Sequence, residues 1–211
     1  MAITRQRPEA DIDFTLMYVT HDAFRRDLVR LRAAADTGRT DTSGFQAGWS
    51  NFKRQLEVHH SVEDAALWPR VTTAVAARPD DAALMRAMQA EHAGLDPLLD
   101  AVDQAIRPSG SCLAERIAEL AAALNAHMTH EEDKALPLIR EVLTPKDWDA
   151  FRRAMARRQG PSGAAAYVPW ILDGATPDQR HRFLAAMPAP VGVINALLWE
   201  RSYRKRHSLE P

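Results

Sequence analysis

Val58-His-His-Ser-Val-Glu-Asp-Ala-Ala-Leu-Trp-Pro69 and Ala126-His-Met-Thr-His-Glu-Glu-Asp-Lys-Ala-Leu-Pro137 lie over one another as two copies of a single unit. Each contains His-x-x-x-Glu, as His59 with Glu63 and as His127 with Glu131, and each carries a proline six residues beyond the glutamate. The paired histidines are 68 residues apart, and each is preceded by another, His21 by 38 residues and His92 by 35. The chain therefore reads as a duplicated His, His-x-x-x-Glu. Composition alone yields roughly 0.4 copies of the four-residue spacing, so one copy decides little, whereas two in matching surroundings are hard to reach by chance.

The stretches around these residues carry helical periodicity. Phe14, Met17, His21, Phe24, Leu28 and Leu31 recur at steps of three and four, as do Trp49, Phe52, Leu56, His59, Glu63 and Ala66. Met85, Met88, His92, Leu95, Leu99, Val102 and Ile106 make a third stripe, and Ile117, Leu120, Leu124, His127 and Glu131, resuming at Leu138, a fourth. The connections are 35–44, 77–80 and 107–111, with Asp80 expected to cap the third helix and Ser109 or Ser111 the fourth. The expectation is an all-α, up-down-up-down four-helix bundle over residues 12–143. Residues 144–211, broken at Thr144-Pro, Gln159-Gly-Pro, Thr176-Pro and Met187-Pro, form an aromatic-rich helical extension expected to pack on the bundle or on a partner.

Every repeated His and Glu falls on a core stripe, and an ionised carboxylate in an apolar core costs several kcal/mol or more unless a cation meets it. Four protonated imidazoles would repel one another, but neutral imidazoles around a metal pair satisfy both kinds of group. On a helix, residues four apart share a face, so His-x-x-x-Glu offers a nitrogen to one metal and a carboxylate able to bridge to a second. The candidate ligands are His21, His59, Glu63, His92, His127 and Glu131; this mixed N/O set suits iron, with manganese or zinc as substitutes. Off the stripe, His60 could supply an additional ligand, but it and Asp64 lie one step aside, which favours outer-layer or surface roles; His130 and Glu132 are read as solvated. Tyr18, one turn before His21, is close enough to reach a bound oxygen species, although a partly buried structural role suits it better. Pro97 and the phase of Leu95 and Leu99 turn Asp96 aside.

This arrangement resembles the hemerythrin-like family, the HHE cation-binding domain, over approximately residues 12–143. The resemblance implies His21 and His92 as single ligands, His59 and His127 as paired ones, and Glu63 and Glu131 as bridging carboxylates of an oxo- or hydroxo-bridged di-iron centre. It implies reaction with oxygen, peroxide or nitric oxide, in sensing or in peroxide decomposition of catalase or peroxidase type. The chain departs from respiratory hemerythrins, which add a fifth histidine and use an aspartate in the last helix; fewer histidines leave more open positions, which argues against reversible oxygen carriage. Iron storage, delivery or repair of damaged iron centres is the alternative, and a zinc-clipped interaction protein a third.

A formal charge of −1 and a pI near 6.7 create no field favouring nucleic acid or an anionic membrane. No apolar h-region and no run of about 18 apolar residues is present, so a cytoplasmic location is expected. The single cysteine, Cys112, excludes an intrachain disulfide framework and a thiolate cluster. His181, His207 and the basic run Arg201, Arg204, Lys205 and Arg206 match nothing in the repeat.

Overall fold

The computed structural model describes residues 11–107 and 112–206, and these form helices and connecting turns with no strand among them. Helix α1 spans Thr15–Asp36 and α2 Ser43–Val62, which runs on through a π turn, Glu63–Leu67, into α3, Trp68–Ala74. Helix α4 spans Pro79–Ala105; α5, Leu113–His130, continues through a second π turn, Glu131–Ala135, into α6, Leu136–Val142. These segments are the four rods of the expected bundle, with α1 against α2 and α5, and α4 against α5.

The two π turns have one cause. Each begins at the repeated glutamate and ends two residues before the repeated proline, with Trp68 N–H donating to the Glu63 carbonyl and Leu136 N–H to that of Glu131. Pro69 and Pro137 lack an N–H, and their rings clash with the carbonyl four residues back; widening the turn relieves the clash without breaking the rod.

The periodic apolar residues fill two clusters. One holds Phe24, Leu28, Leu31, Phe45, Phe52, Leu56, Leu120 and Leu124; the other holds Phe14, Met17, Leu67, Trp68, Val71, Met85, Met88 and Ile139. Along every rod the repeated His and Glu fall between them, so a polar layer is enclosed by apolar packing on both sides. At about 25 cal/mol per Å² of apolar burial, these clusters provide the stability against which that layer is held.

Residues 145–206 pack onto the bundle. Helix α7, Pro145–Leu172, starts in a capping box formed by Thr144 and Asp147, and α8, Pro177–Ala185, in another formed by Thr176 and Gln179. Helix α9, Pro190–Ile194, passes through a π turn, Asn195–Trp199, into α10, Glu200–Arg206. Trp148 and Phe151 join one bundle cluster; Val168, Trp170, Phe183 and Tyr203 join the other. Buried Asp27 of α1 accepts from Trp170 Nε1 at 2.7 Å, while Arg26 donates to the Trp170 carbonyl at 2.9 Å and to that of Asp173. Helix α7 bends at Gly160, whose φ of 63° and ψ of 176° lie in territory almost closed to other residues, directly before Pro161.

One expected cap differs. Asp80 lies in the first turn of α4 behind Pro79, and Arg78 takes the cap position without a side-chain bond. A proline fitted to the first helical position had moved the helix start one residue ahead of Asp80. Ser109, Ser111 and His207 lie outside the described residues. No helix among the described residues is long and apolar enough to cross a membrane.

Candidate metal centre

The structure brings the six stripe residues into one layer, each between 0 and 6% exposed. They fall into two imidazole pairs, with His21 Nε2 3.2 Å from His59 Nε2 and His92 Nε2 3.1 Å from His127 Nε2. The carboxylates lie between the pairs. Glu63 has Oε1 3.3 Å from His59 Nε2 and Oε2 3.7 Å from His92 Nε2; Glu131 Oε2 is 3.2 Å from His21 Nε2 and 4.0 Å from His127 Nε2. Each glutamate thus reaches the paired histidine of its own rod and the single histidine of another.

The outer nitrogens define the tautomers. His21 donates from Nδ1 to Glu132 at 2.7 Å, His92 to Asp64 at 3.0 Å, and His127 to Glu91 at 2.9 Å. Glu91 also accepts from His130 at 2.8 Å, and Arg25 grips Glu132 through both guanidinium nitrogens at 2.8 and 3.0 Å. An Nδ1–H leaves a lone pair on Nε2, directed inward. Asp64 therefore supports the layer from outside, one of the two roles considered for it, and Glu132 does so contrary to its expected solvated role. The signal was in the repeat: each immediately follows a repeated glutamate and binds the single histidine of another rod.

His60 lies against the layer, the outer of the roles considered for it. Its ring stacks on His92 with centroids 3.9 Å apart, and its Nε2 is buried without a hydrogen-bond partner. Ligand atoms of His60, His92 and His127 lie within 4.8 Å of one another, as do those of His21, His59 and Glu131 and those of His59, His60 and Glu63. A groove of about 960 Å³ separates α2 from α4 and reaches His60 and His92, so the inward face of α2 is broader there than a single stripe. Tyr18, by contrast, is 42% exposed and takes neither role considered for it. Asp96 points into the groove, away from the layer, as its phase required.

Electrostatics leave the layer short of positive charge. Burial drives His59 and His60 well below the usual imidazole range, reinforced by the neighbouring histidines, and lowers His92 to about 4. His21 is raised: burial opposes its charge, but Glu131 and Glu132 outweigh it. Burial, then the nearby Glu131 and Asp64 charges, pushes Glu63 well above the usual carboxylate range. Burial also opposes charge on Glu132, yet bonds from His21 and Arg25 hold it down to about 2.

All four carboxylate oxygens of Glu63 and Glu131 are buried without a hydrogen bond. Facing imidazole lone pairs around orphaned carboxylate oxygens repel one another, and a cation bound among them reverses the sign of every one of these interactions. The donor set fits a metal.

The family model for the hemerythrin HHE cation-binding domain matches residues 13–139. The chain belongs to that family. The match reaches all four bundle rods, ending within α6, and takes in the whole His/Glu layer, while α7–α10 lie beyond it. No curated protein and no solved structure gives a match. Cation binding by the hemerythrin domain agrees with the donor set that the fold assembles.

Proposed function

We propose that this hemerythrin-family protein holds two iron ions and uses them to bind or react with peroxide, oxygen or nitric oxide. The observation that carries the reading is the pair of orphaned glutamates, each lying between two imidazole pairs. His21 and His59 would hold one ion, His92 and His127 the other, and Glu63 and Glu131 would bridge them; His60 Nε2 adds a nitrogen on the second side. Bound iron would supply Lewis acidity and redox electrons at positions left open by the protein.

The chain's own residues prepare that chemistry. Glu132, Asp64 and Glu91 accept from Nδ1 of three imidazoles and so aim their Nε2 atoms inward. The depressed basicity of His59, His60 and His92 keeps them neutral at pH 7, the form that ligates metal. Apolar clusters close the layer on both sides along the rods, which leaves the groove between α2 and α4 as an approach to it. Peroxide decomposition is the catalytic form of the proposal. Protein reconstituted with ferrous iron under anaerobic conditions should contain two irons per chain and consume peroxide faster than the same iron free in buffer; a His59→Ala variant matching the wild type would overturn it.

Iron handling is a second reading, favoured by the groove between α2 and α4. Glu57, Asp64, Asp96, Asp100 and Asp103 line it on the approach to His60 and His92. A carrier would surrender its iron to a mild chelator within a turnover time, whereas a reactive centre would retain it.

A further inference from the structure

A second cavity, of about 730 Å³, opens on the opposite side of α2, between α1 and the bent α7. Its size is that of small-molecule sites, roughly 300–1,000 Å³. Its inner end reaches His59, and its outer wall comes from residues beyond the hemerythrin match, including Trp148, Phe151, Met155, Val168, Met187 and Val191. The bend at Gly160 carries the second half of α7 away from the line of the first, and both halves line the space.

Gln159 Oε1, in the cavity wall, is buried without a hydrogen-bond partner, but three other polar groups of the lining are occupied. Thr20 donates to the Leu16 carbonyl at 2.7 Å, Tyr167 donates in turn to Thr20 at 3.0 Å, and Trp148 Nε1 donates to the Asp13 carbonyl at 3.1 Å. The interior therefore asks for apolar surface. The rim asks for negative charge: Arg153 and Arg157 line the cavity, are exposed, stand four residues apart on one face of α7, and pair with no carboxylate among the described residues. Arg152, by contrast, is held by Asp149 and the Ala186 carbonyl.

We propose that this cavity binds an amphipathic carboxylate, an alkyl chain of medium length held tail-inward beside His59 with its carboxylate at Arg153 and Arg157. Binding itself needs no metal. That the inner end of the chain meets a reactive centre rests on the di-iron reading above.

The test is calorimetric titration of full-length, chelator-treated protein with octanoate, decanoate and dodecanoate, alongside uncharged decanol. One site per chain is expected, tightening about fourfold per added methylene. Arg153→Gln with Arg157→Gln should weaken decanoate about fivefold, and raised salt should do the same. Ala164→Trp, which fills the cavity, should abolish binding while circular dichroism and a thermal melt show a folded chain. Absence of saturable binding, equal binding of decanol and decanoate, or binding unmoved by both variants would overturn the proposal. Iron content of the same proteins after anaerobic reconstitution with ferrous iron separates the two readings: carboxylate binding by a protein that takes up no iron keeps this site and removes the di-iron centre, and iron uptake without carboxylate binding does the reverse.

Discussion

Replacing Glu63 by leucine should make the cation-free protein more stable while removing its response to iron. Glu63 is fully buried, neither oxygen has a hydrogen bond, and burial with the nearby Glu131 and Asp64 charges keeps its carboxyl protonated well above the usual range. His59 Nε2 at 3.3 Å and His92 Nε2 at 3.7 Å are its nearest counterparts, without hydrogen-bond alignment. A buried polar group left in this way costs about 1–3 kcal/mol. Leucine is of similar bulk and leaves nothing to desolvate, so the variant should gain that amount, raising the midpoint of thermal unfolding by roughly 3–10 °C for a chain of this length. Iron inverts the order: at a thousandfold excess over Kd the wild type gains about 4 kcal/mol, and the variant much less. Calorimetry with and without anaerobic ferrous iron reads all four states. A cation-free variant less stable than the wild type by more than about 1 kcal/mol would refute the reasoning, because it would mean that the carboxylate is already satisfied by the protein.

Three further outcomes follow from the geometry. Trp170→Phe removes the bond to Asp27 and part of a packed indole, and should cost about 2–3 kcal/mol in urea unfolding with iron content unchanged; a neutral result would mean that α7 does not stay docked on α1. Gly160→Ala should cost about 1–3 kcal/mol in the same assay although nothing lies within 4 Å of the added methyl, since the strain is in the backbone; a neutral result would remove the bend. Glu132 is depressed to about 2 by His21 and Arg25 against its burial, so its contribution is present above the ordinary value of 4.5 and lost as pH falls towards 2. Being partly solvated, it is worth about 1–2 kcal/mol; the stability difference between wild type and Glu132→Gln should have that size at pH 7 and shrink through this window, and a difference independent of pH would contradict the assignment.

The rods and the residues they bring together were legible because helical periodicity and duplication are properties of spacing. His21, His59, His92 and His127 share the phase of Phe24, Leu56, Met88 and Leu124, and a rod that buries the apolar residues must bury the imidazoles. His60, Asp64, Glu91 and Glu132 escaped that rule because their roles depend on how far apart the rods stand. His60 gains its place from the groove between α2 and α4, and Asp64 and Glu132 from the reach of a side chain across to another rod. The π turns were foreshadowed by Pro69 and Pro137, but a proline six residues beyond a glutamate can end a helix as readily as widen it. In the extension, the Thr-Pro starts and the Gly160 break were visible as local backbone chemistry. The docking of Trp170 on α1 was not, since it depends on contacts between residues far apart in the chain, such as Asp27 with an indole 143 residues away.

Anomalous diffraction at the iron edge, on crystals of protein reconstituted with ferrous iron, tests the central claim most directly. Two peaks are predicted, one at the His21 and His59 pair and one at the His92 and His127 pair, with Glu63 and Glu131 in contact with both. A single peak, a peak away from the glutamates, or none at full reconstitution would contradict a di-iron centre in this bundle.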